Sequence, residues 1–386
     1  MTRSIRFGCL RTAIVGLCSL SLVGGLATLT PAVAAAGPAA GYVDAVATRF
    51  LENRNAHLVA GTATPVAVAA MASDLTAELS VRESKTLEGL KGRRDRLATL
   101  GERYSAARTQ ATVVSTRQAG DAYVALVNER TELDYTKVHG DEPPFTAFSV
   151  DRDFRFVLSG SQWVVAEVVV TDENGVPPIN EVDGFQVPLP NGSAASGSVG
   201  APGTAVIARP RGRLPVVAKG TGADGAVTAA AYNYTAMVDY ANRYWDNYNT
   251  NYRTYSNDCT NFISQAMAAG GWTQVNSSYN QDDSRRWNYG RFSFTTSYTW
   301  AGAHNWYFFA TGSTRTWPLP NVWDMYRSDV LQVDFDRNGN ISHTMIVVAT
   351  TSSNKYLNYH TNDTYRRSLT SLLSANPSAW YYAHRT

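Results

Sequence analysis

Residues 255–266 read YSNDCTNFISQA and predict a helix that carries a cysteine in its first turn. Ser256, Asn257 and Asp258 all suit the cap of a helix, and they directly precede Cys259. The helix dipole and the unpaired amides of a first turn favour a thiolate, so we expect the pKa of this thiol to lie below its usual ~8.5. Apolar residues three, four and seven positions after the cysteine predict that the helix packs on a sheet while its N-terminal end faces a cleft.

The N-terminal 36 residues predict a secretory signal peptide. A basic start precedes an apolar run at residues 12–29, and the small residues AVAAA follow at 32–36. The alternative is an uncleaved membrane anchor, because the run approaches the ~20 apolar residues that a span needs. Its glycines and threonines and its small-residue exit favour cleavage, so we expect a secreted protein without stable membrane insertion after cleavage.

Removal of the leader also removes two of the three cysteines, Cys9 and Cys18, and leaves Cys259 alone in the exported chain. Secreted proteins normally pair their cysteines. A single thiol therefore indicates an intermolecular bridge, a buried inert residue or a nucleophile, and its surroundings have to decide between them.

Length and composition predict two packed domains joined by a linker. A chain of 386 residues with 44% hydrophobic residues is too long for one average domain and too apolar for disorder. Residues 187–225 are rich in Pro, Gly, Ser and Ala, which is typical of a linker. This divides the exported chain into an N-terminal domain at 37–186 and a second domain at 226–386. A formal net charge of +2 argues against nucleic acid as a partner.

The N-terminal domain has an α+β pattern without a cluster of reactive residues. A helical pattern covers residues 41–108, and segments rich in Val, Phe, Tyr and Thr then predict antiparallel strands at 112–116, 122–128, 145–158 and 162–170. In element order this resembles the cone-like cystatin and nuclear-transport-factor folds. His57 and His139 are isolated in the sequence, so we interpret both as structural and the domain as non-catalytic.

The second domain predicts a helix-on-sheet arrangement. Helices are expected at 230–248 and 258–269, and three strands at 329–335, 341–350 and 355–360 form an antiparallel meander. The whole chain is therefore expected to belong to the α+β class.

Two histidines on this meander are candidate partners of the thiol. A cysteine nucleophile needs a base, and the base needs a third polar group that orients it. His343 begins one predicted strand and His360 ends the next, so an antiparallel hairpin would make them neighbours. Strand parity also puts Asn362 on the face of His360 if the strand continues, which makes Asn362 an alternative orienting residue.

These motifs resemble the amidase domain family of secreted bacterial proteins, which is similar to the papain-like NlpC-type and CHAP-type cell-wall hydrolases. The resemblance covers residues 230–386. It is carried by the following segments: NDCTNFISQA at 257–266, GGW at 270–272, SDVLQVDF at 328–335, His343, and YH at 359–360. It implies that Cys259 is the nucleophile, His343 the general base and His360 the third polar residue. The oxyanion would then be held by the Cys259 amide with a second donor from Tyr255 or Asn257.

Residues 334–340 copy the first seven positions of a calcium loop, but Met345 stands where the loop needs a bidentate glutamate. We interpret the segment as a plain Asn-Gly turn. Zinc-ligand spacing is also missing, so we expect no metal or other cofactor.

The functional hypothesis is a secreted cysteine-dependent amidase or peptidase, with a cell-wall peptide such as peptidoglycan or a small amide as substrate. The alternative is an exported binding protein with a degenerate papain-like domain.

Overall fold

The structure is a computed structural model that describes residues 37–61, 71–138, 142–172, 175–182 and 232–386. Pro38–Thr386 form one compact unit. The predicted signal peptide, the predicted linker and His139 lie outside the described residues. Among the described residues, every helix is too short or too polar to span a bilayer.

Where the structure describes it, the N-terminal part consists of two helices followed by four long antiparallel strands. The elements are α1 (Ala40–Ala56), α2 (Ala77–Thr99), β1 (Tyr104–Ala119), β2 (Ala122–Tyr135), β3 (Phe145–Ser159) and β4 (Gln162–Val170). Helix α2 ends earlier than the predicted helical pattern, because Tyr104 already begins a strand. One face of the strands is covered by the predicted apolar stripe of α1, in which Val43, Val46 and Phe50 are buried against Phe154.

The C-terminal part has helices on both faces of a short-stranded sheet. Its helices are α3 (Tyr234–Arg243), α4 (Cys259–Ala269), α5 (Tyr298–Ala301), α6 (Ala303–Gly312) and α7 (Leu369–Ala375). Its strands are β5 (Trp317–Pro318), β6 (Val330–Asp334), β7 (His343–Thr350), β8 (Lys355–Tyr359), β9 (Asp363–Ser368) and β10 (Trp380–Arg385). The predicted meander is confirmed, because β6, β7 and β8 are antiparallel neighbours. Helix α3 is shorter than predicted.

The ten strands of the described residues belong to one sheet, so the α+β class is confirmed. The strand order is β1-β2-β3-β9-β8-β7-β6-β10-β5, with β4 paired to β3. The two parts of the chain join where Ala147 lies opposite Tyr365, Phe148 opposite Thr364 and Ser149 opposite Asp363. Neither strand carries a local signal that predicts this pairing, since its partners are far apart in sequence.

A buried set of charged side chains lies inside the N-terminal part, and we call it the N-terminal network: Arg54, Glu83, Glu129, Arg152 and Glu181. Arg54 contacts Glu83 at 2.7 Å, and Arg152 contacts Glu129 at 2.7 Å. Glu181 contacts both arginines, at 3.1 and 2.9 Å. It comes from residues 175–182, which we call the strap.

Candidate functional site

Helix α4 begins at Cys259, one residue after the predicted start, and ends at Ala269 as predicted. Its apolar stripe, Phe262 and Ile263, is buried in a core shared with Ile346 and Val348 of β7. The helix therefore packs on the sheet as expected. Asp258 occupies the cap position without a side-chain capping hydrogen bond, since its carboxylate has other partners.

The Cys259 thiol is almost fully buried, with 2% of the residue exposed. Its sulfur donates to Asn257 Oδ1 at 3.2 Å and lies 3.6 Å from Thr260 Oγ1. Burial raises the pKa of the thiol to about 11, and the charge of Asp258 adds to this, while hydrogen bonds from Thr260 and the Thr344 backbone oppose it. The expected lowering of this pKa is therefore wrong, because desolvation destabilises the thiolate more than the helix N-terminus stabilises it.

His360 forms a buried ion pair with Asp258. Its Nδ1 lies 2.7 Å from Asp258 Oδ2, and its Nε2 lies 2.7 Å from the Tyr244 carbonyl oxygen. Both partners are acceptors, so both ring nitrogens donate and the ring is an imidazolium. Burial lowers the pKa of His360, but the charge of Asp363 and the hydrogen bond and charge of Asp258 outweigh it, so the pKa is raised.

The His360 ring is also held by aromatic neighbours. It stacks on Phe262 of α4 with ring centroids 3.9 Å apart, and Tyr248 lies on it at 4.1 Å. These contacts place His360 on the same face of the sheet as the cysteine helix. His360 is therefore oriented by Asp258 and fixed by packing.

His343 is fully buried at the first position of β7, and its ring contacts Tyr359 at 5.3 Å between centroids. Within the described residues, neither ring nitrogen has a hydrogen-bond partner. Burial, assisted by the charge of His360, lowers the pKa of His343 to about 3, so the ring is neutral. The next residue, Thr344, reaches the cysteine helix through its hydroxyl, 3.0 Å from Thr260 Oγ1.

The predicted β7–β8 hairpin is present. It brings the two histidines close enough for the charge of His360 to lower the pKa of His343. Its pairing runs from Thr350 opposite Lys355 to Ile346 opposite Asn358. Side chains alternate between the two faces of the sheet along β7, however, so His343 lies on the face opposite Thr344. Among the described residues, neither histidine is a hydrogen-bond partner of the Cys259 sulfur.

Of the orienting candidates, only Asn257 contacts the sulfur. The Tyr255 amide donates to Asp258 Oδ1 at 3.0 Å, so that amide already has a partner. The Asn362 side chain donates to the carbonyl oxygens of Asp172 and Val176, both at 3.2 Å. The structure thus does not bring Asn362 to His360, because the parity argument needs an extended strand and Asn362 has φ 64°.

Three residues of the site were not identified from the sequence in these roles: Tyr248, Asp258 and Asp363. Asp258 was interpreted only as a helix cap, although its place beside the cysteine was a usable signal. Tyr248 donates to Asp363 Oδ1 at 2.9 Å. Burial raises the pKa of Asp363 to about 7, although the charge of His360 and the Tyr248 hydrogen bond oppose this. The pairing of Tyr248 with Asp363 is long-range, and no local pattern indicates it.

A cleft of about 330 Å³ opens beside these residues, and both parts of the chain line it. Its lining residues are Asn128, Ser149, Val150, Asp151, Thr171, Asp172, Asp246, Tyr248, Ser256, Thr361, Asn362 and Asp363. We use the name thiol cluster for Asn257, Asp258, Cys259, His360 and Thr361. Ser256 and Asn257 are exposed, so the cluster lies directly beneath the surface at this opening.

The segment that resembles a calcium loop makes internal hydrogen bonds. Asp334 Oδ2 accepts from the Gly339 amide at 2.8 Å, and Asp336 Oδ2 accepts from the Asn338 side chain at 3.0 Å. Across the described part of the chain, no group of three or more His, Cys, Asp or Glu side chains is arranged to hold a metal ion.

Comparison with protein families finds a match in the C-terminal part of the chain. Residues 231–384 match the family model described as "Putative amidase domain". This agrees with the resemblance carried by the cysteine and histidine motifs, and it makes amide hydrolysis the activity suggested for this region.

Two curated proteins of Bacillus subtilis (strain 168) are similar to this chain over segments of comparable length. The uncharacterized protein YhbB is 31% identical over 129 residues, which are 33% of this chain and 40% of that protein. The uncharacterized protein YjcM is 27% identical over 150 residues, which are 36% of this chain and 33% of that protein. The chain thus spans less than half the length of the curated relatives it matches.

Two solved structures show a weaker likeness. The intermembrane space region of the chloroplast protein ARC6 matches with a TM-score of 0.25 and 13% identity, covering 35% of this chain and 98% of that chain. The Kfla4162 protein from Kribbella flavida matches with a TM-score of 0.19 and 20% identity, covering 23% of this chain and 56% of that chain. Both TM-scores are low, so neither comparison defines the fold.

Proposed function

We propose that this chain hydrolyses amide bonds with Cys259 as the nucleophile. The observation that carries the proposal is the buried polar cluster around a single thiol, inside the region that matches the amidase family model. The sulfur is held by Asn257, and the adjacent Asp258 holds a charged imidazole. A cysteine that served only as a small hydrophobic residue would need neither contact.

The two histidines have different roles in this proposal. A general base needs a ring nitrogen with an available lone pair. The neutral ring of His343 has one such nitrogen, and it has no partner among the described residues, whereas both nitrogens of His360 are engaged as donors. We therefore assign the base to His343. His360 and Asp258 form the fixed charged pair beside the nucleophile, which corresponds to the third polar position of a papain-like triad.

The reaction then follows the usual thiol sequence. His343 takes the proton of the Cys259 thiol, and the sulfur attacks the amide carbonyl to form a tetrahedral intermediate. The protonated His343 gives that proton to the leaving amine as the C–N bond breaks. Water hydrolyses the thioester and releases the acid. The Cys259 amide and the Asn257 side chain are the candidate donors to the oxyanion.

The described structure corresponds to a resting state in this scheme. The thiol pKa of about 11 and the His343 pKa of about 3 both favour the neutral forms. His343 lies on the face of the sheet opposite Thr344, so the start of β7 has to rearrange before the ring reaches the sulfur. We propose that substrate entry at the cleft brings polar groups to both residues, since catalytic hydrogen bonds often tighten only in the complex.

We further propose that the protein is exported and that its substrate is a cell-wall peptide, such as a peptidoglycan stem peptide, or a small amide. The support is the signal-like sequence of residues 1–36. Mass spectrometry of protein from the culture medium tests export, with an N-terminus close to Gly37 expected. A full-length chain retained in the cells would contradict it.

The decisive experiment compares the wild type with Cys259→Ala and Cys259→Ser on purified peptidoglycan and on a panel of short amides. Both variants should lose at least about 10³-fold in kcat, because the nucleophile itself is removed. The serine variant keeps the size and the hydrogen bond to Asn257, so its melting temperature should stay close to that of the wild type. Turnover that survives in Cys259→Ala would sink the proposal.

The second candidate is a binding protein without hydrolytic activity. It is favoured by the raised thiol pKa and by the missing hydrogen bond between the sulfur and a histidine. Binding of peptidoglycan fragments by wild type and Cys259→Ala with equal affinity, without release of a new amino group by the wild type, would support this candidate.

A further inference from the structure

The strap is fixed at two places that belong to different parts of the molecule. Near its C-terminal end, Glu181 accepts from Arg54 and Arg152 of the N-terminal network. At its N-terminal end, Gly175 and Val176 lie against the loop that follows His360. The strap therefore links the N-terminal network to the candidate site.

The loop after His360 has an unusual backbone. Thr361 and Asn362 follow one another with φ values of 67° and 64°, both in the left-handed region. That conformation costs roughly 1–2 kcal/mol per residue for residues other than glycine, so it needs support from its surroundings. The support comes from Asn362, whose amide donates to the carbonyl oxygens of Asp172 and Val176.

Thr361 transmits this conformation to the thiol. Its hydroxyl oxygen accepts from the Asp258 amide at 3.0 Å and donates to Asn257 Oδ1 at 3.4 Å. The same Asn257 oxygen accepts from the Cys259 sulfur. Hydrogen bonds from Val176 to Asn362 and from Thr361 to Asn257 and the sulfur, joined by the peptide bond between Thr361 and Asn362, therefore connect the strap to the thiol.

Gly175 shows how closely the strap approaches this loop. A Cβ atom at this position would lie 2.5 Å from Asn362 Nδ2 and 2.5 Å from the Thr361 carbonyl oxygen. Real Cβ atoms do not approach a backbone oxygen so closely, so any side chain here must displace the loop. Only glycine fits the observed contact.

We propose that the strap is a positioning element of the thiol cluster, holding Thr361 and Asn362 so that Thr361 fixes Asn257 over the Cys259 sulfur. The proposal rests on the proposed function of Cys259. It makes the N-terminal part of the chain a component of the site, with Gly175, Thr361 and Asn362 as positioning residues that act through Asn257.

The test is Gly175→Ala in the full chain, measured by kcat and KM and by the pH dependence of Cys259 alkylation with iodoacetamide. We expect kcat to fall about tenfold or more while KM stays within about twofold, because small displacements of a nucleophile are costly. The alkylation profile should move to lower pH by about one unit, because a loosened cover exposes the sulfur and removes part of the burial that raises its pKa. A purely structural residue would lower the melting temperature without moving this profile in the folded protein.

The matched control is Gly92→Ala, a helical glycine whose added Cβ would meet nothing within 4 Å. It should leave kcat and the alkylation profile unchanged. If Gly175→Ala does not fold, Asn362→Gly replaces it, because glycine keeps the left-handed backbone and removes only the amide donors. The same shift is expected from that variant.

A wild-type kcat and alkylation profile in folded Gly175→Ala, or in Asn362→Gly where the first variant does not fold, would overturn the positioning role. Failure of the proposed function is seen separately, as turnover that survives in Cys259→Ala. The alkylation measurement needs no substrate, so it decides the positioning role even if no amide is cleaved.

Discussion

The N-terminal network and the thiol cluster are both buried and polar, but they are built from different groups. The network pairs guanidinium groups with carboxylates, such as Arg152 with Glu129 at 2.7 Å. The charge of Glu181 raises the pKa of Arg54, and the charge of Arg54 lowers the pKa of Glu181. Burial opposes both shifts but does not outweigh them. Such groups keep their charges at every physiological pH. The network can therefore stabilise the fold without taking part in proton transfer.

The thiol cluster and its surroundings contain groups whose protonation can change. The pKa of His360 is raised, and that of the adjacent Asp363 is raised to about 7. His343 is neutral and has no hydrogen-bond partner within the described residues. The comparison teaches that burial of polar groups does not mark a reactive site. Groups that exchange protons near neutrality, beside a nucleophile, are the better sign.

Substitution of His343 should lower kcat far more than substitution of His384. Both rings are fully buried, without a hydrogen-bond partner in the described part of the chain, and burial lowers both pKa values to about 3. His343→Gln should lower kcat about 10²- to 10⁴-fold, because it removes the base. His384→Gln, whose ring contacts Trp306 and Tyr307, should change kcat about twofold at most per folded molecule. Equal losses of kcat in the two variants would exclude His343 as the base.

A substitution in the N-terminal network should change stability instead of chemistry. Glu83→Ala removes the carboxylate that accepts from Arg54 and leaves a buried charge with fewer partners. We expect the free energy of unfolding to fall by about 3–5 kcal/mol in urea titrations, with kcat per folded molecule unchanged.

The matched control for this variant is Asp153→Ala, which removes a surface partner of Arg117. Its cost should be less than about 1 kcal/mol. A strong loss of kcat in folded Glu83→Ala would mean that the network acts on the site through Arg54 and the strap, and the contrast between the two regions would then fail.

A comparable effect is expected from the pH dependence of stability. Burial first of all raises the pKa of Asp363 from its ordinary value of 3.8 to about 7. Between these values the folded chain keeps a proton that the unfolded chain releases. The contribution of Asp363 is therefore fully present below pH 4 and is lost as the pH rises through 7.

Asp363→Asn keeps an acceptor for Tyr248 and removes this titration. Its free energy of unfolding should exceed that of the wild type by about 4 kcal/mol at pH 8 and match it near pH 4. Urea titrations at these two pH values measure the difference. Parallel curves for the two proteins would show that Asp363 does not titrate between them.

Local patterns predicted the parts of the site that depend on local structure. The caps before Cys259 and its apolar stripe gave the helix, and the alternating strands around His343 and His360 gave the meander. These features depend on residues within a few positions of one another. The order of nucleophile and histidines along the chain was therefore available from the sequence.

Long-range contacts explain what the sequence could not show. The burial that raises the Cys259 pKa depends on elements packed around the thiol, and the left-handed backbone at Thr361 and Asn362 depends on the strap. Asn362 was predicted as an orienting residue on the assumption that the strand continues to it, and the left-handed backbone ends the strand before that residue. The pairing of Ala147 with Tyr365 is likewise invisible locally, which is why a shared sheet was not expected.

The pairing of β3 with β9 also has a consequence for folding during synthesis. Strand β3 leaves the ribosome about two hundred residues before the strand that completes its edge at residues 147–149. Until then this short edge presents open backbone groups to any other extended chain. The nascent protein therefore passes through a stage in which its N-terminal sheet can aggregate, and a chaperone that binds extended backbone would protect it until synthesis ends.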